Sequence, residues 1–160
     1  NMCVCYSYQY NFPVNMIRLS HTYGPGVQLD DGRVFGDFVA DIIFNRDIVL
    51  NSDGSAKRSF CYITDMIKGM FYVLFYGENQ NAYNIASSVE TSILELAKTL
   101  VSLYPEKQLQ VKVNKDVFKQ GYIKSASSRA DFDTTKLQSL GWKQKIDIAV
   151  GFKRMIESYL

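Results

Sequence analysis

A chain of 160 residues, 47% of them apolar, is the size of one ordinary domain and can bury a sizeable core, which excludes a disordered polypeptide. Lysine and arginine exceed aspartate and glutamate by two, 18 against 16, which leaves no electrostatic case for nucleic acid or an anionic membrane as the main partner. No signal peptide opens the chain and no apolar run approaches the roughly 20 residues of a membrane span, so a soluble protein is expected.

Residues 1–11, rich in aromatic and polar groups, read as the end of a longer helix that closes at Phe12-Pro13, where proline breaks the hydrogen-bond ladder. Because the chain begins at Asn1 in mid-helix, its true start is expected upstream. Val14 to Leu19 reads as a strand running into the compulsory turn of Tyr23-Gly24-Pro25-Gly26. From Val34 to Ile43 the apolar residues fall at helical spacing, with Asp31 as the expected cap. Ile48 to Leu50 is a short strand, Asp53-Gly54 a turn, and Ser59 to Ile63 a further strand. That strand feeds a helix expected to be capped by Asp65 and to present Met66, Ile67, Met70, Phe71 and Leu74 on one face. Tyr83 to Ala86 is strand-like, and Ser92 with Glu95 forms a capping box for a helix bearing Ile93, Leu96, Ala97, Leu100 and Val101. Leu109 to Val113 is another strand. Asp133 opens a short helix that stops at Leu140-Gly141-Trp142, with the glycine as a left-handed cap. Asp147 to Leu160 is the last helix, with Phe152, Met155, Ile156 and Tyr159 inward. Strands alternating with helices predict an α/β or α+β domain.

The usual signatures of chemistry are missing from the sequence. It has no GxGxxG or GxxGxxG, no Walker sequence, no HExxH, no GxSxG, and no tyrosine followed four residues later by lysine. His21 is the sole histidine, which rules out paired-histidine metal sites within one chain; at a strand end beside Thr22 and a Gly-Pro-Gly turn it is either structural or part of a site. Arg33 stands at a helix start, where the helix dipole disfavours a cation and another partner is expected to hold it. Arg58 enters an apolar strand and Arg129 precedes a helix. Two converging guanidinium groups would match a diphosphate; singly, each is an ordinary surface cation. Cys3, Cys5 and Cys61 lack CxxC spacing and sit among apolar or aromatic neighbours, so buried free thiols and a reducing, cytoplasmic setting are expected.

Four segments in order bear a resemblance to a known family. They are Arg18-Leu19-Ser20-His21-Thr22-Tyr23-Gly24-Pro25, then Arg58-Ser59-Phe60 with Ile63 and Asp65, then Tyr83-Asn84-Ile85-Ala86, and finally Asp133-Thr134-Thr135-Lys136 leading to Leu140-Gly141-Trp142. Together they resemble the extended short-chain dehydrogenase/reductases that act as NAD-dependent sugar-nucleotide epimerases, dehydratases and decarboxylases. Asp31-Gly32-Arg33-Val34, with Met2-Cys3, Tyr6 and Gln9, looks most like UDP-glucuronate decarboxylases, ahead of dTDP-glucose 4,6-dehydratases.

The resemblance implies an α/β fold: the C-terminal part of a Rossmann-like protein, mainly its smaller substrate-binding domain with a few strands and helices of a truncated parallel sheet. Residues 1–160 would form one nucleotide-sugar-binding domain, with 1–22 and about 80–90 belonging to the Rossmann sheet. It further implies chemistry through a 4-keto intermediate, with a UDP- or dTDP-sugar as substrate and NAD held mainly by an N-terminal half absent from this chain. Arg58 and Arg129 would grip the diphosphate and nucleotide, Tyr6 and Gln9 would face the sugar, and Thr22 and Arg33 would touch NAD from the substrate side. His21 occupies the position of a substrate-binding asparagine. No catalytic residue is expected in this chain, because the family's Tyr-x-x-x-Lys lies upstream of the segment matching Asn1, so the chain alone is expected to be inactive. It could alternatively serve as a non-catalytic UDP-sugar-binding module, or be a truncated remnant. A homo-oligomer is expected.

Overall fold

The computed structural model describes residues 2–29, 32–114 and 131–160. Helix α1 (Met2–Tyr10) ends at Asn11, whose φ of +50° breaks the helix just before Phe12-Pro13. Strand β1 (Met16–Leu19) pairs in parallel with β5 (Ala82–Ile85), with Ile17 opposite Tyr83. The chain then passes directly into β2 (His21–Tyr23), which belongs to a different sheet, in order β2-β4-β6. Strand β4 (Lys57–Tyr62) runs parallel to β2 and antiparallel to β6 (Glu90–Ser92), while β3 (Ile48–Leu50) pairs in parallel with β7 (Val111–Val113). The molecule is thus mixed α/β with parallel strand pairs, as the alternating pattern predicts. Neither the switch of sheets after Leu19 nor β6 is foreseen in the sequence pattern; both strands are three residues long, too short for a period to register.

Two apolar clusters hold these elements. The larger packs α2 (Val34–Ile43), α4 (Ile93–Ser102) and α6 (Ile148–Glu157) around β3 and β4. At its centre Tyr23 stacks on Phe152 at 4.0 Å. The smaller gathers Val73, Tyr83, Ile85, Leu137 and Trp142 where α3 (Ile63–Tyr76) and α5 (Thr135–Ser139) cover β1 and β5. Local signals behave as expected at several ends. The Ser92 hydroxyl accepts from Glu95 N at 3.1 Å and the Glu95 carboxylate from Ser92 N at 2.8 Å, Asp147 caps α6 through Val150 N at 2.8 Å, and Gly141 takes a φ of +95° after α5.

Asp65 does not cap α3. The helix begins at Ile63, directly from β4, and Asp65 is its third residue, within the first turn and fully buried. Its Oδ2 instead accepts hydrogen bonds from the backbone N–H groups of Lys145 and Ile146, at 2.9 and 2.8 Å, and its backbone carbonyl accepts from Trp142 Nε1 at 3.0 Å. With Asp65 turned inward, the face of α3 is rotated from the expected stripe: Asp65, Met66, Gly69 and Val73 are buried, and Ile67, Phe71 and Leu74 are exposed. Gly69 permits this, because a Cβ there would lie 2.9 Å from Ile85 Cγ2. The expected cap Asp31 lies outside the described residues; Arg33 occupies the N-cap position of α2 and makes no side-chain cap bond.

Cys61 is buried as expected, but Cys3 and Cys5 are exposed. Among the described residues of α1 only Ser7 is buried, so this helix offers its cysteines no interior. Burial, with the Asp65 carboxylate nearby, pushes the Cys61 thiol up to about 12. Two thiols per native chain should therefore react rapidly with a chromogenic disulfide, and the third only after denaturation; three equally fast thiols would contradict this packing. Asp65→Ala strips two N–H groups of their acceptor, and urea unfolding should show a loss of about 2–4 kcal/mol. Asp65→Asn retains one carbonyl oxygen and should lose less.

Candidate functional site

Register decides which side chains meet. In the parallel pairing of β2 with β4, His21 lies opposite Phe60, and their rings sit 5.7 Å apart. Arg58, two residues before Phe60 on β4, falls on the same face of the strand. His21, Arg58 and Phe60 together form one wall of a cavity of about 340 Å³. Gly32, Val34, Asp37, Phe38 and Asp41 at α2 make the facing wall, and Val49 to Ser52, with Ile93, close the remainder. The segment after β3 is held against α4 by Gly54, whose φ of +70° suits glycine and where a Cβ would lie 2.8 Å from Leu94 Cβ.

The walls differ in charge. On the strand side His21 is held below its ordinary value by partial burial, and then by the charges of Arg58 and Arg33, so at neutral pH it is an uncharged donor and acceptor. On the helix side stand Asp37 and Asp41, one turn apart. Burial raises Asp41 even though Arg46 bonds it at 3.0 Å. Cations at one end, carboxylates along one wall and apolar surface from Phe60, Phe38 and Ile93 suit a ligand with an anionic group, hydrogen-bond donors and a flat apolar part. Among the described residues no group of three His, Cys, Asp or Glu side chains is placed to hold a metal ion.

The cavity brings together only part of the expected site. His21 and Arg58 line it. Arg33 stands between two lining residues at the start of α2, its guanidinium 5.1 Å from the centre of the Phe35 ring, a cation–π contact that answers why a cation is tolerated at a helix N-terminus. Thr22 alternates to the other face of β2 and its hydroxyl donates to the Ser20 carbonyl at 3.4 Å. Tyr6 and Gln9 are exposed on α1 and line no part of this cavity; Tyr6 instead packs on Tyr10 at 4.9 Å. Arg129 lies outside the described residues. The acidic wall goes unflagged in the sequence reading, although its signal is plain: Asp37 and Asp41 are the only charged residues in VFGDFVADII, spaced four apart. A second cavity of about 310 Å³, lined by Ser87, Lys145 and Asp147, shares Phe60 but holds none of the expected residues.

Comparison with known proteins places these features among others. The family model described as NAD dependent epimerase/dehydratase family matches residues 1–86. The chain is 31% identical over 165 residues to dTDP-D-glucose 4,6-dehydratase of Mus musculus, covering 98% of this chain and 44% of the relative. It is 30% identical over 155 residues to UDP-glucuronic acid decarboxylase 6 of Arabidopsis thaliana, covering 96% and 43%. The chain thus spans less than half the length of either relative. Among solved structures, UDP-glucuronic acid 4-epimerase from Bacillus cereus, in complex with UDP-glucuronic acid and NAD, superposes with a TM-score of 0.80 at 20% identity over 98% of this chain and 48% of that one. UDP-glucose 4-epimerase from Thermotoga maritima, with UDP-glucose, gives 0.81 at 19% over 98% and 48%. At these identities the structural likeness carries the fold alone.

Proposed function

The chain belongs to the NAD dependent epimerase/dehydratase family, and from that premise we propose that it is the nucleotide-sugar-binding half of an NAD-dependent sugar-nucleotide decarboxylase, dehydratase or epimerase. The observation that carries this reading is the cavity between β2, β4 and α2, where His21 and Arg58 face an acidic helix wall. Arg58, joined by Arg129, grips the diphosphate of a UDP- or dTDP-sugar. Asp37 and Asp41 accept from ribose and base donors, and Phe60 supplies apolar surface. The decarboxylase chemistry ranks ahead of the dehydratase and the epimerase, on the segment Asp31-Gly32-Arg33-Val34 with Met2-Cys3, Tyr6 and Gln9, the last two being assigned to the sugar.

Thr22 and Arg33 offer one hydroxyl and one guanidinium toward NAD. A pyrophosphate needs more: the sequence contains no glycine-rich strand-to-helix turn whose backbone N–H groups would cradle it. These residues do not by themselves make an NAD site. We assign the main NAD contacts, and the Tyr-Lys pair that oxidises the sugar at C4, to residues outside this chain, with residues 1–22 and about 80–90 belonging to the same sheet as those contacts. The absence of any Tyr-x-x-x-Lys favours binding without turnover for these 160 residues, whether as a module or as a remnant of the enzyme.

Calorimetric titration of the chain with UDP-glucose and dTDP-glucose tests the site. Micromolar binding is expected, weakened about ten- to a hundredfold by Arg58→Ala and again by Arg129→Ala; no heat with either sugar nucleotide would remove the reading. Incubation with NAD and UDP-glucuronate or dTDP-glucose should yield no product, and turnover would show that the chain carries its own catalytic pair.

The same reading has a consequence for assembly. Tyr6, Tyr8 and Tyr10 on α1 and Ile67, Phe71, Leu74 and Phe75 on α3 are exposed, and among the described residues β1 pairs on one edge only. Such apolar faces and open edges associate. Sedimentation should give a mass above the 18.3 kDa of one chain, and a strictly monomeric, fully folded species would count against an oligomer.

A further inference from the structure

The cationic end of the cavity contains one group whose charge is not fixed. Arg58 and Arg33 stay protonated at any physiological pH. His21 does not. Its ring rests on Phe60 at 5.7 Å and opens on its other side to the cavity it shares with Arg58. From β4 it feels Arg58 and from the start of α2 it feels Arg33; Asp37 and Asp41 line the same cavity from α2, and Asp41 is already engaged by Arg46 at 3.0 Å. Partial burial first, and then the charges of Arg58 and Arg33, lower the affinity of His21 for a proton in the empty site.

We infer that His21 determines the ligand charge this site accepts, acting as a further cation that is switched on when an anionic group enters and takes up a fraction of a proton as it does so. The inference rests on the nucleotide-sugar reading above and extends it. A diphosphate placed against Arg58 offsets the arginine part of the depression, which adds to that of burial, and adds attraction for the imidazolium. Both effects raise the imidazole's affinity for a proton. By linkage, ligand affinity then rises as pH falls, by up to about tenfold per unit between the bound-state and free-state values, and is flat outside that window. An uncharged nucleoside gains nothing from this, so preference for sugar nucleotide over nucleoside should sharpen toward acid pH. An amide at this position could donate the same hydrogen bond but could supply no charge.

Because His21 is the only histidine, its imidazole resonances need no assignment by mutation. Titration by NMR between about pH 5 and 9, on the free chain and on the chain saturated with UDP-glucose or dTDP-glucose, whose diphosphate diesters do not themselves ionise in this range, should show the midpoint moving up by about one unit or more. Calorimetry of the same sugar nucleotides in buffers of differing ionisation enthalpy should show a fractional proton taken up per ligand bound, absent with uridine. His21→Asn should bind with no proton uptake and no pH dependence. Binding without a midpoint shift in the wild-type chain, or proton uptake that persists in His21→Asn, overturns this inference and leaves the nucleotide-sugar reading standing. No binding of either sugar nucleotide overturns both.

Discussion

The buried Asp65 carboxylate is the joint on which the molecule depends. It lies where β4 ends and α3 begins, and it bonds the backbone of residues 145 and 146, far along the chain. The Trp142 indole, three residues earlier, closes on the Asp65 carbonyl and belongs to the smaller apolar cluster, whereas Ile146 packs on the larger. A single side chain therefore fixes the segment that passes from one cluster to the other. Apolar contact alone would leave that segment free to slide, because burial is not directional, whereas two N–H groups aimed at one oxygen set a position. The strand that carries Arg58 and Phe60 leads straight into this joint, so the cavity wall inherits its placement.

The cavity itself follows from register. Parallel pairing of a three-residue strand with a six-residue one brings His21 beside Phe60 and, by the two-residue period, on the same side as Arg58. A slip of one residue would replace His21 by Thr22 in the cavity and lose the imidazole from it. What prevents the slip is Tyr23, one of the most deeply buried residues, locked against Phe152, Phe60 and Tyr62. Its phenol is pushed above its ordinary value by burial first and then by Cys61 and Asp147, so it remains a neutral core group. The site and the core meet in residues two apart on one short strand.

Much of this was legible in the sequence where the signal is local. Ser92 and Glu95, and Gly141, act as read because capping needs only a few neighbouring residues. Arg58 and His21 were legible as site candidates only through the motifs that carry the family resemblance, since singly each also reads as an ordinary surface cation or a structural histidine. Errors arise where long-range partners decide. Asp65 reads as a cap because the N–H donors it accepts from lie 80 and 81 residues away. The face of α3 is misjudged for the same reason: Ile67, Phe71 and Leu74 form a proper helical stripe, but Asp65 and Gly69 determine which side turns inward. Cys3 and Cys5 look like interior residues by type, yet α1 has almost no interior to give them. The cluster of expected residues is divided likewise, with His21 and Arg58 brought together and Tyr6 and Gln9 left apart on α1.

The stack of Tyr23 on Phe152 also bears on how the chain matures during synthesis. The Tyr23 hydroxyl donates to the Asp147 carbonyl 124 residues later, and the Tyr159 hydroxyl donates to the Val27 carbonyl across 132 residues. The start of the described core is thus sealed by its very end. A nascent chain emerging from a ribosome must hold β2 and the aromatic cluster open until α6 is translated, and contacts of such long sequence separation form slowly. The aromatic core behind the cavity is consequently among the last parts to be completed, so a product clipped before α6 would lose the packing that holds β2 and β4 in place.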